Sequence, residues 1–504
     1  MTKWVVFLFT LGLSISAEAQ NDKRDYVWLF SNNSSSEPGN ESYSFDFNEK
    51  GPAFNKSLQG ILPLEFTGNN ASICDKDGNL LYYTNGCHVV GRNHQILPNG
   101  SGLNDGDWIT QFRGDTCSFY PTTQDILILP DPGSADNHYV IHKPIELGDP
   151  RFKSLRYSYI ESINSMGRIT DKGIEIIPDI VSNFSYLTAC PHLNNEDWWI
   201  VDIDESELIY SILLSAQGFE TIQTTKLPTN FVENSSGSGT TKFSPDGNTF
   251  AFYNAYDDLH LYDFERATGE FSNHRYLIIE EFPDDVARFS SVEWSPNSRF
   301  IYVSIEDQLW QIDTWEDELE DGLELIDTWD GTIDPFPTTF FLMHLAPDCK
   351  IYMCSTNGVN SLHVINNPNE KGTGCDFVQR GIKLPHDNGI DMPNFPRFRV
   401  DEEDKCDPTI TSIFGDDIWW RRDLITYPNP VRDLLTIELP EQKNGKLIVL
   451  DMDGRIVMTR EVFSHTQELL LSMTGLPSGT YSVEFLPEQN KERRIWTSRV
   501  VKVE

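Results

Sequence analysis

Positive charge is scarce in this chain of 504 residues: 39 Lys and Arg stand against 77 Asp and Glu, a net charge of −38. A surface so acidic excludes nucleic acid and anionic membrane as partners, because a polyanion would meet like charge and release no counterions. Long apolar runs are missing beyond the amino terminus. The first run, residues 4–15, falls short of the roughly 20 residues needed to cross a bilayer, which excludes a spanning helix there. No GxSxG, HExxH or Walker-type glycine loop occurs, so the familiar nucleophile, zinc-protease and phosphate-binding signatures are absent. There is no CxxC either, and the nearest pair, Cys349 and Cys354, straddles a predicted turn and strand, which argues against a zinc ribbon.

What is present is apolar bulk. Hydrophobic residues make up 39% and aromatics 12%, far more than a disordered acidic tail carries, so a large core is implied. The 33 Gly and 28 Pro are spread along the chain, which favours many short turns over long helices. About two or three domains are expected at this length. Lys3, the apolar stretch behind it and Ala17-Glu18-Ala19 form the three parts of a signal peptide over 1–19, with the mature chain starting at Gln20. All eight cysteines (74, 87, 117, 190, 349, 354, 375 and 406) follow that cleavage point. An exported chain meets an oxidising compartment, so disulfides are expected, although spacing does not choose among the pairings.

Three segments align without gaps: FSPDGNTFAF (243–252), WSPNSRFIYV (294–303) and LAPDCKIYMC (345–354), each starting 51 residues after the last. In each, an apolar strand end runs into a Pro-Asp or Pro-Asn turn and then into an alternating strand, the pattern of a hairpin. Further strands are predicted over 259–264, 308–313 and 361–365. Fainter copies lie at 72–83, 126–141 and 187–201, with 26–30 and 43–47 at the start. Seven such units, to within one, between about 24 and 400 predict a seven-bladed β-propeller, each blade a four-stranded sheet. A solenoid would need a shorter, more regular repeat, and ring closure removes exposed strand edges.

These residues carry a resemblance. FSPDGNTFAF resembles the turn of WD40-like propeller repeats. DKDGNLLYYTNGCHVVGRNHQILPNGSGL, SYLTACPHLNNEDWWIV, WSPNSRFIYVS and LHVINNPN…CDF…MPNFPRF together resemble a family of large secreted Bacteroidota surface proteins over most of 20–400. The resemblance implies the fold and carries no activity to any residue.

After Cys406 the repeat stops, and a linker over 401–424 leads to short alternating strands over 425–504. Leu435, Ile437 and Leu439 alternate with Leu434, Thr436 and Glu438, so one face turns inward, and the segment reads as a small Ig-like β-sandwich. It is similar to the type A carboxy-terminal sorting domain of the type IX (Por) secretion system. The matching positions are Tyr427, Pro428, Asn429, Pro430 and Asp433, then Asp451 and Gly454, then Gly475, Leu476, Pro477, Ser478, Gly479 and Tyr481, and finally Val500, Val501 and Lys502. The resemblance implies recognition by the translocon, passage to the outer-membrane surface or the medium, and removal of the domain on the way. The chain departs from the pattern in ending on Val503-Glu504.

Chemical candidates are scattered. Ser244-Pro-Asp246-Gly247-Asn-Thr249-Phe250 approaches a sialidase Asp box but places its glycine one position early. Asp75-Lys-Asp77-Gly78 and Asp451-Met-Asp453-Gly454 open like calcium loops, yet Gly86 and Val462 stand where the closing glutamate belongs, so hairpin turns are the better reading. Calcium along the acidic stretch 313–330 stays open against a solvated loop, and no other cofactor is expected. His88, Arg92, Asn93 and His94 concentrate polar groups beside a strand, where propeller loops bind ligands, although such residues also satisfy turn backbone. Trp198 and Trp199 face opposite ways on a strand, so at most one lines a given surface and core packing is favoured; Trp108 with Arg113 is a similar pair. The function expected is a secreted or cell-surface binding or adhesion protein, not an enzyme, with an extracellular glycan or protein as ligand. The alternative is a polysaccharide hydrolase or lyase with its carboxylates in the propeller channel.

Overall fold

The computed structural model describes residues 22–400 and 420–503, apart from 33–40, 49–52, 56–57, 59–60, 105–122, 146–151, 164–165, 183–185, 205–207, 228–238, 256, 280–287, 440–443, 451–455, 464–465, 467 and 488–493. The signal segment, Trp108, Arg113, Cys117, Cys406, Asp451 and Gly454 therefore lie outside the described residues. The chain divides into two compact units, 1–411 and 412–504.

Among the described residues of the first unit, seven antiparallel sheets follow one another along the sequence, over 27–55, 71–101, 126–182, 188–226, 239–277, 290–328 and 343–388. The last four are simple up-and-down sheets of four strands, the first has three strands and the third five. The opening hairpin of each repeat is specified locally. Ser244 Oγ accepts the backbone N–H of Thr249 at 2.9 Å while Asp246 Oδ1 accepts that of Asn248 at 3.1 Å. One repeat later Ser295 Oγ accepts from Phe300 at 2.8 Å and Asn297 Oδ1 from Arg299 at 3.2 Å. Short polar side chains thus satisfy the turn amides that the sheet leaves over, which is why Ser-Pro-Asp/Asn recurs. Gly247 completes the first of these turns at φ +73°, where a Cβ would come within 2.8 Å of Arg266 and 3.1 Å of Cys190. Asp75 binds the N–H groups of Asp77 and Asn79 in the same manner, so its DxDG segment is a hairpin turn, as the missing glutamate indicated.

The sheets close into a ring, and a β-propeller results. Val27 and Leu29 share a cluster with Tyr83 and Val90 of the second sheet, and Tyr82 of the second meets His138 of the third at 5.3 Å. Tyr139 of the third meets Phe219 of the fourth at 5.4 Å. Continuous apolar clusters join the fourth to the fifth, fifth to sixth and sixth to seventh, around Trp199, Trp294 and Tyr302 respectively. Trp28 and Phe45 of the first sheet pack on Tyr352 of the seventh at 5.9 and 6.0 Å, which completes the circle. The first strands of successive sheets face the axis and are laced by bonds between positions 52 apart, such as Val292 N–H to Thr240 Oγ1 and Met343 N–H to Ser291 Oγ.

The first sheet differs from the rest. Its inner strand, Val27–Asn32, runs opposite to that of the second sheet: Cys74 N–H donates to the Arg24 carbonyl, Ser72 Oγ to Val27 and Asn70 Nδ2 to Leu29. The segment 391–400 runs the other way along the axis. Asn394 donates to the carbonyls of Asn70, Ile126 and Leu187, Arg397 to those of Ala189 and Phe243, and Arg399 to the carboxylate of Asp25. Phe395 packs on His344 at 5.4 Å. Phe395 also meets Trp28 of the first sheet and Arg397 pairs with Glu293 of the sixth, so one extended stretch touches each of the described sheets of the first unit, and its two prolines suit it to a path without regular pairing.

Cys74, Cys190, Cys354 and Cys375 are free and buried. The second unit is a sandwich of a five-stranded and a three-stranded sheet. Leu435, Ile437 and Leu471 of the smaller sheet meet Leu447, Val483 and Phe485 of the larger, while Leu434 and Leu470 face outward, the alternation read from the sequence. Trp420–Asp423, within the stretch read as linker, pairs in parallel with Arg494–Lys502 as an edge strand of the larger sheet.

Candidate functional site

From the second sheet onward the repeat hairpins turn at the same end of the propeller, because each follows a first strand running in the same direction. At that end, across the second, third and fourth sheets, lies a cleft of about 980 Å³. The second sheet contributes Lys76 from its first hairpin turn, Tyr82 from its second strand and Arg92 from its last turn. The third contributes Asp131, Asp136 and His138, and the fourth Asn195, Glu196 and Trp198. Asp22 and Arg24 enter from the amino-terminal side, and Phe398, Arg399 and Val400 arrive from the axial segment.

Several of these groups are already engaged. Asp131 accepts from Gly133 N–H at 2.8 Å and from the Tyr159 hydroxyl at 2.6 Å. Arg24 is paired with Asp22, and Arg399 binds both carboxylate oxygens of Asp25, at 2.6 and 2.7 Å. Burial pushes the Asp22 carboxyl up, against the pull of Arg24 and Arg399. Burial also raises the Tyr82 phenol. His138 is only 3% exposed, and burial together with the charge of Arg24 lowers its pKa to about 3, so its ring is neutral at physiological pH. The backbone of Asp136, hydrogen-bonded to the ring, offsets part of that shift. Lys76 and Arg92 have no ion-pair partner among the described residues.

The residues singled out from sequence are not gathered at one place. Arg92 lines the cleft, but His88, Asn93 and His94 are not among its lining residues. His88 begins its strand, His88–Gly91, and so sits at the other end from Arg92. His94 adopts φ +59° and turns back to Tyr83, 3.1 Å from its hydroxyl, with its pKa lowered by burial. Asn93 Oδ1 accepts Gln95 N–H at 3.2 Å, a turn role. The tryptophan pair divides by strand alternation: Trp198 lines the cleft, edge-on to Phe398 at 5.8 Å, while Trp199 enters the core and donates to the Arg266 carbonyl at 2.8 Å. Tyr82, His138 and the axial residues were not singled out. Only the Met-Pro-Asn-Phe-Pro-Arg-Phe pattern, apolar and extended after the last repeat, marked the axial segment.

The axis holds charge of its own. Glu293 is fully buried and paired with Arg397, accepts the N–H groups of Trp294 and Leu345 at 2.8 and 3.1 Å, and has Lys242 at 3.9 Å. Burial lowers the pKa of Lys242 to about 8. Among the described residues no group of three or more His, Cys, Asp or Glu is placed to hold a metal ion. At the two ends of the stretch 313–330, Asp313 is paired with Arg299 at 2.7 Å and Asp330 with Arg380 at 2.5 Å.

In the second unit, Asn429 Oδ1 accepts Val501 N–H at 2.9 Å and the Tyr481 hydroxyl donates to the Pro477 carbonyl at 2.8 Å. Leu476 packs on the core, Gly475 turns at φ +89°, and Lys502 pairs with Gly479 across the final strands. Tyr427 is exposed.

Residues 426–500 match the family model described as a secretion system C-terminal sorting domain. That domain directs a chain to the type IX secretion machinery and so to the cell surface or the medium. No curated protein matches the chain. Among solved structures, the chain is similar to the periplasmic gluconolactonase of Pseudomonas aeruginosa, at 10% identity and TM-score 0.37, covering 72% of this chain and 97% of that one. It is also similar to the β-propeller domain of Cps50 (Swd1) from Myceliophteria thermophila, at 9% identity and TM-score 0.33, covering 63% and 91%. A gluconolactonase from Xanthomonas campestris matches at 9% identity and TM-score 0.30, covering 66% and 93%. Among the described residues no helix is long and apolar enough to cross a membrane.

Proposed function

We propose that the chain is a Bacteroidota surface or secreted protein in which a seven-bladed, WD40-like propeller binds an extracellular saccharide in the cleft across the second to fourth blades. Signal peptide 1–19 starts the export, the Ig-like tail completes it through the translocon, and disulfides form on the way. The observation that carries the binding reading is the cleft itself: a large concave site, built by turns of three rigid sheets, that mixes aromatic edges with convergent polar groups. Saccharides are recognised by that mixture, in which carboxylates and amides take the hydroxyls while rings cover the apolar faces.

A polysaccharide hydrolase or lyase working in the channel is less well supported. The segment 391–400 occupies the axis, and Glu293 there is ion-paired and capped by backbone amides rather than held as a free acid or base. A glycan-array screen of the full chain, run beside polysaccharide digestion, tests the proposal. Retention without turnover is expected; release of shortened sugars would establish the hydrolase or lyase instead.

A further inference from the structure

In a two-sheet sandwich each sheet buries one face and gives the other to water, so outward positions are expected to be polar. The larger sheet of the second unit turns Lys446, Thr459 and Ser482 outward, and its most exposed apolar residues among those described, Val457 and Val501, reach 37% and 39%. The smaller sheet is different. With Leu435, Ile437 and Leu471 inward, the register sets Tyr427, Thr436 and Leu470 in one outward row, Ile425, Glu438 and Glu468 in the next, and Leu434 beside Ser472 in a third. Ile425, Leu434 and Leu470 are 58%, 55% and 60% exposed.

The charged members of this face sharpen the contrast. Glu438 and Glu468 lie directly opposite each other on neighbouring strands, where like charges destabilise a sheet. The Tyr427 hydroxyl donates to Glu468 at 3.4 Å, and among the described residues no Lys or Arg pairs with either carboxylate. Exposed apolar side chains beside two facing glutamates break two local rules at one place, and such breaks concentrate where function requires them. A partner that brings apolar surface and a cation would relieve both.

Nearly the whole face lies within residues 426–500, the part of the chain that matches a secretion sorting domain. We infer that the outer face of this three-stranded sheet is the surface by which the tail is recognised, seated against a component of the type IX secretion machinery whose own surface is apolar and carries Lys or Arg opposite Glu438 and Glu468. The inference rests on the sorting role of the tail. A second copy of the chain is the poorer occupant, because at a net charge of −38 it has little cation to offer.

The test expresses the full chain in a bacterium that has the type IX machinery and measures the fraction at the surface and in the medium. Glu468→Lys sets a cation opposite Glu438, so thermal unfolding of the purified chain should be unchanged or later, yet the exported fraction should fall by about 10-fold, as a like charge set against the partner's cation requires. Leu470→Ser, at an exposed position, should also lower export at unchanged stability. Thr459→Lys, on the outer face of the larger sheet, should be exported like the parent. Parental export of both face variants, an equal loss with Thr459→Lys, or a loss confined to variants that unfold earlier would overturn the inference, as would a dimer in solution that Glu468→Lys dissolves. A chain lacking 425–504, run alongside, separates the two readings. If it too is exported, the sorting role itself fails; if it stays in the periplasm while the face variants are exported, only the choice of face fails.

Discussion

Asp391 offers a substitution that should stabilise the protein by removing a group that must take up a proton on folding. It lies on the axial segment at 1% exposure, with Oδ2 accepting Asn70 Nδ2 at 2.9 Å and Oδ1 without a partner. Its backbone is fixed separately, since Asn388 accepts its N–H at 3.1 Å and donates to its carbonyl at 2.8 Å. Burial raises its pKa from the ordinary 3.8 to about 8. Between those values the folded protein keeps a proton that the unfolded chain has lost. The stabilisation from Asp391 is therefore complete below about pH 4 and is lost progressively as pH rises towards 8. At roughly 1.4 kcal/mol per pH unit the loss by pH 7 reaches about 4 kcal/mol as an upper bound. Asp391→Asn keeps the size and an acceptor for Asn70, cannot ionise, and offers an N–H near the Tyr43 hydroxyl, which is also without a partner. Denaturant unfolding of both proteins, followed by tryptophan fluorescence from pH 4.5 to 8.5, should show the variant more stable by about 2–4 kcal/mol at pH 7, the gain shrinking towards pH 4.5. A variant equal to or weaker than the parent at pH 7, or one with the same pH slope, would refute the reasoning.

Arg397→Met should remove the cation paired with fully buried Glu293 and cost about 3–5 kcal/mol, towards the lower figure because Lys242 and two backbone amides remain. Thermal unfolding would measure it, and a loss below about 1 kcal/mol would mean that the axial segment does not hold the sheets together. Deletion of 425–504 should leave the protein in the periplasm when cell fractions are probed; undiminished surface display would contradict the role of the matched sorting domain.

Much of the fold was legible because it is written locally. A Ser-Pro-Asp/Asn turn satisfies its own amides, and alternation with period two fixes which residues face inward, as with Leu435 and Ile437 against Leu434. Trp198 and Trp199 could be divided between two faces on the same ground. The candidate ligand cluster fared differently. Arg92 reaches the cleft, but His94 is bent back to Tyr83 and His88 sits a strand's length away, because closeness in sequence does not place side chains on one surface.

The sequence by itself determined the hairpins, their recurrence, the inward faces and the exported tail, since each depends on residues a few positions apart. Tertiary structure alone decided what the hairpins enclose. Arg397 reaches a carbonyl 154 positions away and Arg399 a carboxylate 374 positions away, and Tyr82, His138 and Trp198 share a cleft only because three sheets are set side by side. Such partners leave no period or spacing in the chain, because the ring brings them together after each sheet has already formed by its own local rules.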